Sequence, residues 1–113
     1  MLFDPKWNIE APAEIQLEDW QKLLLKAAEV LERDGWIRHA YHAEGAHCAV
    51  GALQVARREL NIPVGSDAKK LAYTNFRRTI YGRLIGSIPH WNDAEWRTKD
   101  DVINAFKEAA HVI

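Results

Sequence analysis

The run from Glu18 to Asp34 constrains the fold more than any other stretch of the chain. Trp20, Leu23, Leu24, Ala27, Ala28 and Leu31 recur at helical intervals and put an apolar stripe on one face. A helix with such a stripe must bury it against other elements, so it organises a packed domain around itself. Glu18 and Asp19 stand at its start, where the helix dipole favours negative charge. Gly35 follows Asp34 and reads as a left-handed C-terminal cap, after which Trp36 and Ile37 turn back toward the core.

Three more helices are expected. One runs from Cys48 to about Leu60 through Val50, Leu53 and the small residues Ala52 and Ala56, with Pro63 enforcing the stop. Gly51 is a poor helix former, so its presence there points to close approach of another part of the chain. A third helix, capped by Ser66 or Asp67, is expected to reach about Ile85 through Leu71, Ala72, Phe76, Ile80 and Leu84. The last begins at Thr98, with Asp101 three residues on as a short-armed capping box. No stretch alternates as a strand does. At 113 residues, with 48% hydrophobic residues and five tryptophans, the chain makes one domain with a substantial core. The expectation is therefore an all-α fold, a compact bundle of about four helices over residues 18–113. Residues 1–17, broken by Asp4-Pro5 and Ala11-Pro12 yet carrying Phe3, Trp7, Ile9 and Ile15, read as an extended arm. The arm is expected to lie on the domain or on a second subunit.

Cys48 is the only cysteine, which excludes an internal disulfide. In the first turn of a helix its thiol would meet unpaired N–H groups that favour a thiolate. The structural alternative is a small buried hydrophobe. A cysteine-dependent hydrolase or transferase would use Cys48 as nucleophile and His90 as base, with Asn92 or Asp93 orienting the imidazole. His47 adjoins Cys48, and adjacent helical side chains diverge, so His90 is the better base. A plainer account joins the same stretches: Asn92 or Asp93 caps the open amides at the start of the Cys48 helix. His39, His42 and His47 lack the spacing of a metalloprotease helix or a zinc finger, so no metal and no cofactor is expected.

The net charge is −1, but its distribution is uneven. Residues 57–83 hold seven basic and two acidic side chains, a net +5, and the rest of the chain carries −6. The basic segment is either the solvated face of a helix or a surface for an anionic partner such as nucleic acid. In the second case Arg77, Arg78 and Arg83 would meet phosphates, with Lys69 and Lys70 near the helix start and Tyr73 or Asn75 near bases. There is no signal-peptide layout and no apolar run of spanning length, so a cytoplasmic location without membrane contact is expected.

Four motifs follow one another in order. They are Gly35-Trp36, Cys48-Ala49-Val50-Gly51-Ala52-Leu53, Trp91-Asn92-Asp93 and Arg97-Thr98, the last leading into the final amphipathic helix. This order resembles a group of small uncharacterised bacterial and phage-encoded proteins of unknown function, over residues 20–112. Where that group is expected to place glycine or proline between Asn-Asp and Arg-Thr, this chain has Ala94-Glu95-Trp96. The resemblance implies a fold type and no activity. With no phosphate loop, dinucleotide fingerprint or paired-carboxylate layout, the reading favoured is a non-catalytic binding or interaction protein with a protein partner or a second copy of itself. Trp36, His47, Trp91, Arg77 and Arg78 are its candidate binding residues. Nucleic-acid binding and cysteine chemistry are the alternatives.

Overall fold

The computed structural model describes residues 16–111. The arm expected over residues 1–17 lies, as far as residue 15, outside the described residues. Among those described, five helices and one small hairpin follow in the order α1 (Asp19–Asp34), β1 (His42–Ala43), β2 (Ala46–His47), α2 (Ala49–Glu59), α3 (Asp67–Tyr81), α4 (Ile88–Asn92) and α5 (Lys99–Ala109).

The fold is mostly helical, and α1 is its central post. Leu23, Leu24, Ala27, Ala28, Val30 and Leu31 are all buried, and α1 packs against α2, α3 and α5. Alanines at Ala27, Ala28, Ala49, Ala52 and Ala56 leave room for close contact between α1 and α2. On the other side, Phe76 of α3 stacks on Phe106 of α5 with ring centroids 4.4 Å apart. Each ring, fully buried, contributes about 2–3 kcal/mol of apolar burial. Trp91 meets the edge of Phe76 at 5.7 Å and links α4 to this aromatic centre.

The capping residues behave largely as their chemistry dictates. Thr98 Oγ1 accepts from the Asp101 N–H at 3.1 Å, and the Asp101 carboxylate accepts from the Thr98 N–H at 3.0 Å, a reciprocal capping box. Ser66 caps α3 by accepting from the Lys69 N–H. Gly35 ends α1, but its φ of 100° and ψ of 163° send the chain straight into extended structure rather than through the left-handed helical cap expected.

Four further expectations are corrected. The helix count rises from about four to five, because Ser87 accepts from the His90 N–H and Pro89 occupies the first turn of α4, inside what reads as a loop. The third helix stops at Tyr81 and not near Ile85. Gly82 takes the left-handed conformation, φ 72°, and its N–H closes on the Arg78 carbonyl. A two-stranded antiparallel hairpin pairs His42 with His47 and Ala43 with Ala46. Its strands of two residues are too short to show alternation, and its turn has φ of 53° at Glu44 and 86° at Gly45. Cys48, finally, is the N-cap of α2 and not a member of its first turn.

Candidate functional site

The hairpin and the start of α2 are built on one crowded contact. The Cys48 N–H donates to the Tyr41 carbonyl at 3.1 Å, which draws that carbonyl over the first turn of α2. A Cβ on Gly51 would lie 2.1 Å from the Tyr41 oxygen. Glycine is therefore required there, which is the close approach its place in a helix points to. Beside it, Trp36 forms a parallel bridge to His47, with the Ile37 N–H donating to the His47 carbonyl and the His47 N–H to the Gly35 carbonyl.

Asn92 joins this layer to α4. It is completely buried, and both halves of its amide are fully used. Its Oδ1 accepts from the Trp36 indole N–H at 2.6 Å and from the Ala49 N–H of α2 at 3.0 Å. Its Nδ2 donates to the Ile37 carbonyl at 3.1 Å and to Asp93 Oδ1 at 3.0 Å. The capping account thus holds for Asn92, which covers an amide at the start of α2. Asp93 instead accepts from the His39 N–H at 2.9 Å, fixing a residue whose φ is 70°. Burial works against the Asp93 charge, but the His39 N–H and the Asn92 amide outweigh it and hold the carboxyl below its usual range. Arg38 reaches across to the carbonyls of Ala94 and Glu95 at 3.1 and 2.8 Å. Arg97 lies over the Trp91 ring at 3.9 Å and donates to the Trp91 carbonyl. The segments around residues 36–39 and 91–97 form a clasp.

A cleft of about 350 Å³ opens at one edge of this clasp, lined by His39, Ala40, Tyr41, Cys48, Pro89 and Asp93. The Cys48 side chain is at its floor, only 3% exposed, and its sulfur accepts from the Gly51 N–H at 3.4 Å. Burial pushes the thiol up, and the amide hydrogen bonds offset that only in part. The first-turn amides do favour a thiolate, as expected, but desolvation prevails and the group stays a thiol at neutral pH. His90 lines a different cleft, of about 360 Å³, with Tyr81, Trp91, Ala94, Trp96 and Arg97, and Asp93 touches both. The histidine that shares the cleft with Cys48 is His39, whose Nδ1 lies 3.6 Å from Asp93 Oδ2.

His47 and His42 belong to a separate polar chain. His47 Nε2 meets Asp34 Oδ2 at 2.9 Å, its Nδ1 meets His42 Nδ1 at 2.8 Å, and His42 Nε2 meets Gln54 Oε1 at 3.0 Å. A single proton serves the contact between the two Nδ1 atoms. The hydrogen bond from Arg33, with that from His47, holds the Asp34 carboxyl far below its ordinary range. No group of three or more histidine, cysteine, aspartate or glutamate side chains able to hold a metal ion occurs among the described residues.

The candidate binding residues scatter. Trp36 is engaged inside the clasp, His47 in the polar chain with Asp34 and His42, and Trp91 packs against the core, while Arg78 donates to Asn75 Oδ1. Arg77 faces an open groove with Val64, Lys69, Lys70, Tyr73 and Thr74, and Trp91 also lines the His90 cleft. Arg38, Tyr41 and His39 carry no spacing signal in the sequence. The pairing of residues 36–39 with 92–95 brings Arg38 and His39 to the site, and the Cys48 N–H on the Tyr41 carbonyl brings Tyr41.

Fold and site together define a small, mostly helical domain with a buried asparagine clasp. A family model described as a family of unknown function, DUF6197, matches residues 17–112, and the chain belongs to that family. No curated protein and no solved structure matches the chain. No described helix is long and apolar enough to cross a membrane.

Proposed function

We propose that the protein is a non-catalytic interaction domain that acts through a protein partner. The observation that carries this reading is an apolar surface beside the clasp. Leu84, Ile85 and Trp96 are 53%, 71% and 76% exposed. Tyr81 connects them: it lines the same cleft as Trp96, and its hydroxyl donates to the Ser87 carbonyl, folding the intervening loop back on its ring. Large apolar groups cost free energy in water, and exposed ones flanked by cations, Ile85 by Arg83 and Trp96 by His90 and Arg97, have the make-up of a partner surface. The motif residues support the same reading from the other side, since Trp36, Asn92 and Cys48 have their polar atoms engaged within the fold. A lone buried thiol suits a reducing compartment, so the protein is read as cytoplasmic, with the bacterial or phage origin that its motif order suggests.

A second copy is the partner to test first, because self-complementary two-fold contacts are the commonest in soluble assemblies. Sedimentation velocity over a range of concentrations is expected to give a reversible dimer for the wild type. Ile85→Ser with Trp96→Ser should give a monomer with unchanged helical content, since both side chains are exposed. A wild-type monomer at every concentration would remove the second copy as partner.

A further inference from the structure

We infer that the groove along α3 lined by Val64, Lys69, Lys70, Tyr73, Thr74 and Arg77 is a binding site for the phosphodiester backbone of a nucleic-acid strand. The groove encloses about 420 Å³ and has no carboxylate in its lining. Three cations converge on it, and among the described residues none of the three forms an ion pair. Like charges held together repel, so the arrangement gains most when an anion enters.

The cations are also positioned. Lys69 lies over the Tyr73 ring at 5.4 Å and Arg77 over the same ring at 5.9 Å. Arg77 Nε donates to the Gly86 carbonyl at 3.1 Å, which anchors one edge of the guanidinium and leaves its two terminal nitrogens for a ligand. Burial pushes the Tyr73 hydroxyl up against the opposing charges of Arg57 and Arg77, so it remains a hydrogen-bond donor beside the Thr74 hydroxyl. Hydroxyls and a guanidinium fork are the groups that bind phosphate oxygens.

The length of the site favours a strand over a single phosphate. From residue 69 to residue 77 the helix rises about 12 Å. Three cations spread over that length meet about three phosphates of one strand, one each. Arg78, singled out with Arg77 by sequence, is turned away and bonded to Asn75, and Arg83 lies over Tyr81. The groove therefore selects Lys69, Lys70 and Arg77 from the basic segment.

The test is fluorescence anisotropy of a short labelled single-stranded oligodeoxynucleotide against the full chain. Three phosphate contacts predict an affinity loss of about 20-fold between about 50 and 200 mM salt. Lys69→Gln with Lys70→Gln leaves one cation, so binding should weaken and the loss over that salt range should shrink to about threefold. Arg58→Gln removes an exposed charge of α2 outside the groove and should bind like wild type. Circular dichroism of each variant separates lost binding from lost fold. Polyglutamate and inorganic phosphate, offered as competitors, should displace the strand only weakly. The proposal is overturned by no binding in dilute buffer, by wild-type binding in the double-lysine variant, by equal loss in Arg58→Gln, or by polyglutamate or phosphate competing as well as unlabelled strand.

Discussion

Asn92 is the side chain on which most of the clasp depends. Replacing it with alanine would orphan the buried Ala49 N–H and the part-buried Trp36 indole N–H and Ile37 carbonyl. Each unsatisfied group costs about 1–3 kcal/mol, so Asn92→Ala should lower unfolding free energy by about 3 kcal/mol or more in a urea titration. Asp93→Ala should cost less, about 1 kcal/mol or somewhat more, because the His39 N–H it leaves is exposed and Asn92 Nδ2 keeps the Ile37 carbonyl. The sequence makes a cap from Asn92 or Asp93 legible, since both have the short polar arm that reaches a backbone amide. It does not show which one, because the choice depends on the turn of α4 that points one inward. Cys48 gives the matching pH prediction. Its folded pKa is raised by burial, so its contribution to stability is complete below the ordinary thiol value of about 8.5. That contribution fades as pH climbs from there toward the folded value. Thermal melts should show a steeper alkaline decline for wild type than for Cys48→Ala. A small alkylating reagent should label Cys48 quickly only after unfolding, and rapid labelling of the native protein at neutral pH would revive the nucleophile reading.

At the scale of elements, α1, α2 and α5 are legible because each combines a helical stripe with a cap or stop that acts locally. The remaining elements depend on contacts distant in sequence or on very short pieces. The hairpin strands are two residues each, and α4 has five residues held by Ser87 and packed against Phe76 through Trp91. The end of α3 is not legible, because Leu84 and Ile85 continue an apolar pattern that has no partner in the core. Periodicity alone does not distinguish a buried stripe from an exposed one. The join between the hairpin and α2 can be tested through Gly51. Alanine is the better helix former by about 1 kcal/mol. Here its Cβ would strike the Tyr41 carbonyl, which is backbone and cannot rotate aside. Gly51→Ala should therefore destabilise by about 1–3 kcal/mol, net of the helical gain, in chemical denaturation. Equal or higher stability would mean that the hairpin moves freely off α2.

The whole molecule is linked by carboxylates at two separate joints, and this sets its behaviour in acid. Asp34, at the end of α1, faces Arg33 and His47, and Arg33 continues to Glu59 of α2. Asp93, in the clasp, takes the His39 N–H and the Asn92 amide. Both carboxyls have folded pKa values below the ordinary one, Asp34 through Arg33 above all and Asp93 because its hydrogen bonds outweigh burial. The contribution of each is therefore present above the unfolded value of about 3.9 and is lost as pH falls through the folded value. Within that window the unfolded chain binds more protons than the folded one, so stability must fall as pH falls. The Glu59 carboxyl is lowered in the same direction by Arg33, but its exposed pairing adds little. Asp34→Asn should consequently be less stable than wild type at neutral pH and show a shallower decline below about pH 4. The two melting curves should draw together in strong acid, where wild-type Asp34 is itself protonated. Parallel curves that never converge would mean that Asp34 acts through the geometry of its hydrogen bond to His47 and not through its charge.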